Sequence, residues 1–213
     1  MKMDIANIRK DYTLKSLELD EVADSPLDQF HRWLEEAITA DVNEPNAMNL
    51  ATINSLNRPS SRVVLLKGVD HGFIFYTNYD SKKGRELQER PFAALNFFWP
   101  ELERQVRIEG EVGKVSDAAS DKYFYSRPVG SQIGAWASPQ SQVIPDRSFL
   151  ENRETEMRIR FETETLHRPA HWGGFRLIPY YFEFWQGRAS RLHDRVVFEK
   201  GATTQWVKKV LAP

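Results

Sequence analysis

No cysteine occurs among the 213 residues. Disulfides, thiolate metal sites, iron–sulfur clusters and cysteine nucleophiles are excluded together, and the chain suits a reducing compartment. An excess of one charge is missing too: 29 Lys and Arg against 30 Asp and Glu leave a net charge of −1. With no global basic field, nucleic acid is not an expected partner. Any anion has to be met by a local cluster of cations. The longest apolar runs, Val63-Val64-Leu65-Leu66 and Phe73-Ile74-Phe75-Tyr76, are strand-sized, well short of the roughly 18 residues a membrane helix needs. The N-terminal MKMDIANIRKDY is too polar for a signal peptide, so a cytoplasmic protein without membrane contact is expected. The histidines at 31, 71, 167, 171 and 193 show no HxH or HExxH spacing, and no metal site is expected. GxSxG, GxGxxG and the P-loop pattern are absent, which removes the main support for hydrolase, Rossmann and P-loop readings.

What is abundant is aromatic: 13 Phe, 7 Tyr and 6 Trp make 12% of the chain. Flat rings suit a β-rich core or a flat ligand. Residues 1–20 are polar and read as an arm, with a short helix at 4–12. Ser25 as N-cap, Pro26 at the first helical position and the stripe Leu27, Phe30, Leu34, Ile38 predict a helix over 26–40. Strand-like runs separated by turn signals follow at 47–54, 61–69, 72–77, 92–99 and 104–115. A helix at 81–90 interrupts them. Two further helices are predicted, one after the Ser116 cap and ending at Arg127-Pro128, the other over 146–163. The chain then returns to strand at 175–178, 180–186, 193–199 and 205–211. No linker separates a second domain, so residues 21–213 read as one domain. The expected class is α+β, built on one antiparallel sheet system.

The chemistry-bearing residues are cations in or beside strands. Arg62 and Lys67 end the run RVVLLK and, five apart, point to opposite faces. They are either two solvated strand ends or ligand contacts on both sides of a wall. Ser81-Lys82-Lys83-Gly84 opens a helix. Cations are unfavourable at a helix N-terminus unless an anion joins them there. Tyr123, Arg127 and Ser131 recur at steps of four and could bracket a phosphate, although Pro128 breaks the helix between them. Arg191, His193 and Arg195 share one face if their strand is regular, and three cations on one face call for an anion or an acid.

The segments RVVLLK (62–67), FYTN (75–78), LERQVRIEG (102–110), SRPVGSQIGAWAS (126–138), WGGFRL (172–177), EFWQG (183–187) and RLHDR (191–195) resemble the pyridoxine/pyridoxamine 5′-phosphate oxidase family. The likeness runs from about residue 5 to 213. It implies an antiparallel FMN-binding split β-barrel with peripheral helices, and a homodimer with FMN at the interface. It also implies a C-terminal dimerisation segment at about 172–213. The implied activity is oxidation of pyridoxamine or pyridoxine 5′-phosphate to pyridoxal 5′-phosphate, with O2 as acceptor and H2O2 as product. By resemblance, FMN contacts fall on Arg62, Val63, Val64, Leu65, Leu66, Lys67, Tyr76, Thr77, Lys82, Lys83, Gln105, Gln140, Ser141, Trp185 and Arg195. Substrate contacts fall on Lys67, Tyr123, Arg127, Ser131, Arg191, Leu192 and His193. Arg191 and His193 are the catalytic pair, while Arg9 and Tyr12 belong to an arm that closes as a lid. Lys82 stands where the family is expected to carry Arg, so a bidentate fork becomes a point charge. Two phosphates, one on FMN and one on the substrate, would account for separate cation clusters in a near-neutral chain. The alternatives are a split-barrel flavin oxidase acting on another substrate, such as a phenazine precursor, and a non-catalytic flavin or pyridoxal-phosphate carrier.

Overall fold

The computed structural model describes residue 8, residues 11–200 and residues 205–213. Most of the helix expected at 4–12, and Arg9 with it, lie outside the described residues; Ile8, Asp11 and Tyr12 are not in a helix. Helix α1 (Pro26–Thr39) begins where its signals place it: Ser25 accepts the Asp28 N–H on its hydroxyl. It is followed by β1 (Ala47–Ile53), β2 (Pro59–Leu65), β3 (Gly68–Val69), β4 (Phe73–Asn78), α2 (Lys82–Glu89), β5 (Phe92–Trp99) and β6 (Arg104–Lys114). Then come α3 (Asp117–Ser126), α4 (Val129–Ala137), α5 (Arg147–Thr163), β7 (Trp172–Gln186), a 3-10 turn at Ala189–Arg191, β8 (Asp194–Lys200) and β9 (Trp206–Val210). No described helix is long and apolar enough to cross a membrane.

The α+β class is as expected. The strands join in one sheet of order β2-β1-β5-β6-β7-β4-β3, with β8 on β7 and β9 on β8. The runs 175–178 and 180–186, expected as two strands, form the single β7. Pro179 lacks an N–H for a ladder bond, and it falls in a gap between two registers. Trp172–Leu177 pair antiparallel with β4, and Tyr181–Gln186 pair antiparallel with β8. The run 61–69 divides instead into β2 and the short β3. Helix α4 has no counterpart in the sequence reading. Gly130 and Gly134 weaken its helical signal by about 1 kcal/mol each, but Ile133, Ala135 and Ala137 are buried, and packing overrides propensity.

The chain forms two compact units. One takes the stretch through Asn49, Ala94–Glu109 and the stretch from Pro179 on; the other takes Leu50–Ala93 and Gly110–Ile178. In the first, α1 lays Phe30 against Phe97 (centroids 5.1 Å apart) and Trp33 edge-on to Phe184 (5.3 Å). Buried Arg104 stacks over Trp33 and is neutralised by Glu36 at 2.7 Å. In the second, Phe75, Phe175 and Tyr79 form the centre of a buried aromatic cluster.

Gly84, at the third position of α2, lies against the end of β4. A Cβ there would stand 2.2 Å from the Tyr79 carbonyl oxygen and 2.6 Å from that of Asn78. Both are backbone atoms that cannot step aside. Helix propensity alone favours Ala over Gly by about 1 kcal/mol. Gly84→Ala is nonetheless expected to destabilise the protein by about 3 kcal/mol through overpacking, read from the urea midpoint. A stabilised variant would show that α2 can back away.

Candidate functional site

In the second unit a cavity of about 310 Å³ opens beside β2 and β4. Val63, Val64 and Leu65 of β2 supply one wall, and Lys67 follows them. Tyr76 and Thr77 come from β4, Lys83 from the first turn of α2, and Tyr123 and Arg127 from the end of α3. Gln140 reaches in from the loop after α4, where its side-chain oxygen accepts from Lys83 Nζ (3.0 Å) and Thr77 Oγ1 (3.2 Å). Ten of the sequence-predicted contacts thus surround one cavity, and Asn78 and Trp172 join them unpredicted.

Trp172 is the informative addition. Its ring lies nearly parallel to those of Tyr123 (8°) and Tyr76 (13°), and Tyr76 stacks on Tyr123 at 3.9 Å. The Arg127 guanidinium sits over Trp172, 4.6 Å from the ring centroid. Arg127 is held at the C-cap of α3, with Pro128 starting α4, so the helix break expected there is real but is followed at once by a new helix. Its Nη1 is buried and has no hydrogen-bond partner. Burial pushes its pKa down, and such a buried donor is costly unless an anion meets it. Lys83 is in a similar state: burial, then the nearby Arg62 charge, hold its ammonium below the usual lysine range.

Five of the expected contacts in this unit lie back from the cavity wall. Arg62 turns into a buried network. Its guanidinium donates to Leu50 O (3.2 Å), Thr52 Oγ1 (2.5 Å), Ser60 Oγ (2.7 Å) and Glu86 Oε2 (3.1 Å). Thr52 and Ser60 in turn donate to Glu86. These bonds, with the Arg62 charge, outweigh burial and hold the Glu86 carboxyl below the ordinary range. Lys82 is exposed and stands 3.7 Å from Glu86 Oε1. Leu66 is buried in the core, while Ser141, at φ 68°, is exposed beside Gln140. Ser131 is also exposed, in the first turn of α4.

The first unit gathers the remainder. A cavity of about 780 Å³ is lined by Tyr12, Arg188, Arg191 and His193, with Ile8, Asp11 and Ser190. The expected single face of Arg191, His193 and Arg195 is not found. Ser190 and Arg191 take left-handed φ of 57° and 62° in the 3-10 turn, and β8 starts only at Asp194. The repulsion foreseen between these cations is relieved otherwise: Arg195 pairs with Glu183 at 2.9 Å. Arg188, which the sequence reading missed, pairs with Asp194, also at 2.9 Å. Leu192 is largely exposed beside the cavity.

His193 Nδ1 accepts the Arg188 backbone N–H at 3.1 Å. Burial, then the Arg191 charge, lower its pKa, so the ring is neutral at pH 7 and carries its proton on Nε2. It therefore offers a hydrogen-bond donor toward the cavity. Tyr12 packs edge-on against Trp185 (5.7 Å) and His193 (5.9 Å). Gly187 makes room for it: a Cβ there would stand 2.7 Å from Tyr12 Cγ. The following residues are clipped by carboxylates, Leu14 N–H to Glu103 and Leu17 N–H to Asp194.

Comparison with known proteins agrees over nearly the whole chain. Residues 34–161 match the family model described as pyridoxamine 5′-phosphate oxidase. Residues 172–213 match the pyridoxine 5′-phosphate oxidase C-terminal dimerisation region. The chain is 53% identical over 210 residues to a pyridoxine/pyridoxamine 5′-phosphate oxidase of Leptospira interrogans, covering 98% of each. It is 54% identical to one of Paraburkholderia phymatum, covering 98% and 99%. Among solved structures it is similar to PhzG from Burkholderia lata 383, bound to tetrahydrophenazine-1-carboxylic acid. That match has TM-score 0.88 and 34% identity, and covers 96% of this chain and 100% of that one. An FMN-binding protein of Nostoc punctiforme, at TM-score 0.71 and 16% identity over 90% and 100% of the chains, shares the split-barrel fold.

Proposed function

The chain belongs to the pyridoxine/pyridoxamine 5′-phosphate oxidase family, and on that premise we propose that it oxidises pyridoxamine 5′-phosphate and pyridoxine 5′-phosphate to pyridoxal 5′-phosphate with FMN as cofactor. With the amine, substrate, O2 and water give pyridoxal 5′-phosphate, ammonia and H2O2. With the alcohol, substrate and O2 give pyridoxal 5′-phosphate and H2O2. Bound flavin supplies the acceptance of two electrons, a chemistry this cysteine-free chain lacks.

The observation that carries this reading is the buried, unpartnered Nη1 of Arg127 above Trp172. A cation desolvated without a carboxylate fits a site made for an incoming anion. Arg127, Lys67 and Tyr123 would hold the substrate phosphate, with Ser131 as an additional hydroxyl. Lys83, Thr77 and Gln140 would bind FMN polar groups against the Val63–Leu65 strand, and Lys82 would add charge at the α2 N-terminus. Arg62 and Leu66 would support that wall from behind, and Ser141 would add a hydroxyl beside Gln140. Gln105, Trp185 and Arg195 would be further cofactor contacts. Arg191 would bind the substrate's polar substituents, and His193 would donate to them from Nε2. Tyr12 would exclude water as part of the arm. In a homodimer, whose C-terminal region the family match supports, each site draws on residues of both chains.

The solved PhzG neighbour raises a rival: oxidation of a non-phosphorylated tricyclic substrate. Arg127 favours a phosphorylated one. Purified protein is expected to be yellow, and pyridoxamine 5′-phosphate is expected to bleach its flavin absorbance under anaerobic conditions, with recovery and peroxide release on readmitting air. Bleaching by a phenazine precursor but not by the phosphorylated vitamers would replace this reading with the rival. Flavin retained without any bleaching would leave a carrier.

A further inference from the structure

Glu183 is a buried acid with an unusual number of cationic dependants. It is 2% exposed, in the half of β7 that pairs with β8. Its Oε1 accepts from Arg195 Nε at 2.9 Å; its Oε2 accepts from Arg107 Nη1 at 3.0 Å and Tyr181 Oη at 3.1 Å. Arg195 is held a second time by Ala212 O at 2.8 Å.

These groups occupy one face of the sheet. Tyr181, Glu183 and Trp185 alternate along β7 with the buried Phe182 and Phe184. Trp185 is the register partner of Arg195 on β8. Gln105 and Arg107 alternate along β6 with the buried Val106 and Ile108. Side chains two apart on a strand share a face. The three flavin contacts expected of this unit, Gln105, Trp185 and Arg195, therefore stand on the face that Glu183 organises. A free arginine side chain samples many rotamers and loses that freedom when it grips a ligand. An arginine already bonded at Nε and at one terminal nitrogen has little left to lose. Glu183 itself, with no exposed edge and its oxygens already engaged, cannot touch a ligand.

We infer that Glu183 is a positioning residue, whose carboxylate fixes Arg195 on the face shared with Gln105 and Trp185 and thereby sets the strength of FMN binding. The hydrogen bond to Glu183, with the charge of that carboxylate, also raises the Arg195 pKa. The inference rests on the reading of Arg195 as a flavin contact, and a double-mutant cycle separates the two. FMN affinity of apoprotein, followed by quenching of flavin fluorescence, is to be measured for E183Q, R195K and the pair. Each single change is expected to weaken FMN about 10-fold, the worth of one charge-assisted hydrogen bond. The double variant should be no weaker than the worse single, because both remove the same contact. A merely structural Glu183 would lower the thermal midpoint of the apoprotein, leave the FMN dissociation constant of folded protein within twofold, and add independently to R195K. That result, with R195K still weakening FMN, overturns the inference and leaves the flavin reading intact. R195K binding FMN at full strength overturns both. If E183Q proves insoluble, E183D replaces it: weakening of about threefold or more in folded protein supports the inference, and unchanged affinity overturns it.

Discussion

Replacing Arg127 with methionine is expected to lower kcat/KM for pyridoxamine 5′-phosphate by about 10²–10³-fold, the worth of two hydrogen bonds to a charged group at roughly 1.5–2 kcal/mol each. FMN affinity should stay within about threefold, since charge-assisted bonds to FMN are assigned elsewhere. The reason lies in how the guanidinium is kept. It is stacked on Trp172, and its Nη1 is buried and left unpartnered, so it is prepared for an anion at the expense of part of its solvation. Methionine keeps the apolar contact with the Trp172 ring and removes the partly desolvated charge. The unliganded protein should therefore be no less stable, with a thermal midpoint equal or higher, as expected where a site trades stability for function. Pyridoxamine without its phosphate is the control. Its poor turnover should change little in the variant, so the preference for the phosphorylated substrate should collapse. Equal losses for both substrates would mean that Arg127 acts on the fold.

The sequence made the strand and helix framework legible wherever local signals agreed. Ser25, Ser116 and Asp146 each accept the backbone N–H three residues on, and side-chain caps are short-range features. Where a tertiary partner decided, local signals misled. Pro179 reads as a break, yet β7 passes through it because that residue sits between two registers. The glycines of α4 read as loop, yet the helix forms because its other face is buried. The site shows the same division. Residue types in RVVLLK, SKKG and RLHDR marked the cations, but their partners come from far along the chain. Glu86 holds Arg62 from 24 residues away, and Glu183 holds Arg195 from the neighbouring strand. No spacing rule reports such pairs. The regular-strand assumption failed at Arg191 for a backbone reason: two consecutive left-handed residues without glycine are not foreseeable from composition. That geometry decides which way the loop's cations face.

Arg191→Ala is expected to cut kcat for pyridoxamine 5′-phosphate by about 10²-fold, with FMN affinity unchanged. Among the described residues no hydrogen bond or ion pair engages its guanidinium, which lines the same cavity as Tyr12 and His193. The left-handed Ser190 and Arg191 cost on the order of 1–2 kcal/mol each. Strain of that size persists at a site when the surrounding structure enforces it. Alanine at 191 meets the same backbone penalty as arginine, so the turn is kept and only the side chain is lost. Loss of an orienting contact of about 3 kcal/mol gives the predicted factor. Arg191→Lys keeps the charge without the planar fork and should fall between the two. A second readout belongs to His193. After burial, the Arg191 charge is the next cause holding the His193 pKa down. Without that charge the imidazole protonates at a higher pH, and protonation puts a hydrogen on Nδ1 where the Arg188 N–H now binds. The acid limb of the kcat/KM profile should accordingly move to higher pH in Arg191→Ala, while the alkaline limb stays in place. An acid limb that moves to lower pH would refute the electrostatic link between the two residues. Parallel loss of FMN would instead put Arg191 among the groups that hold the cofactor.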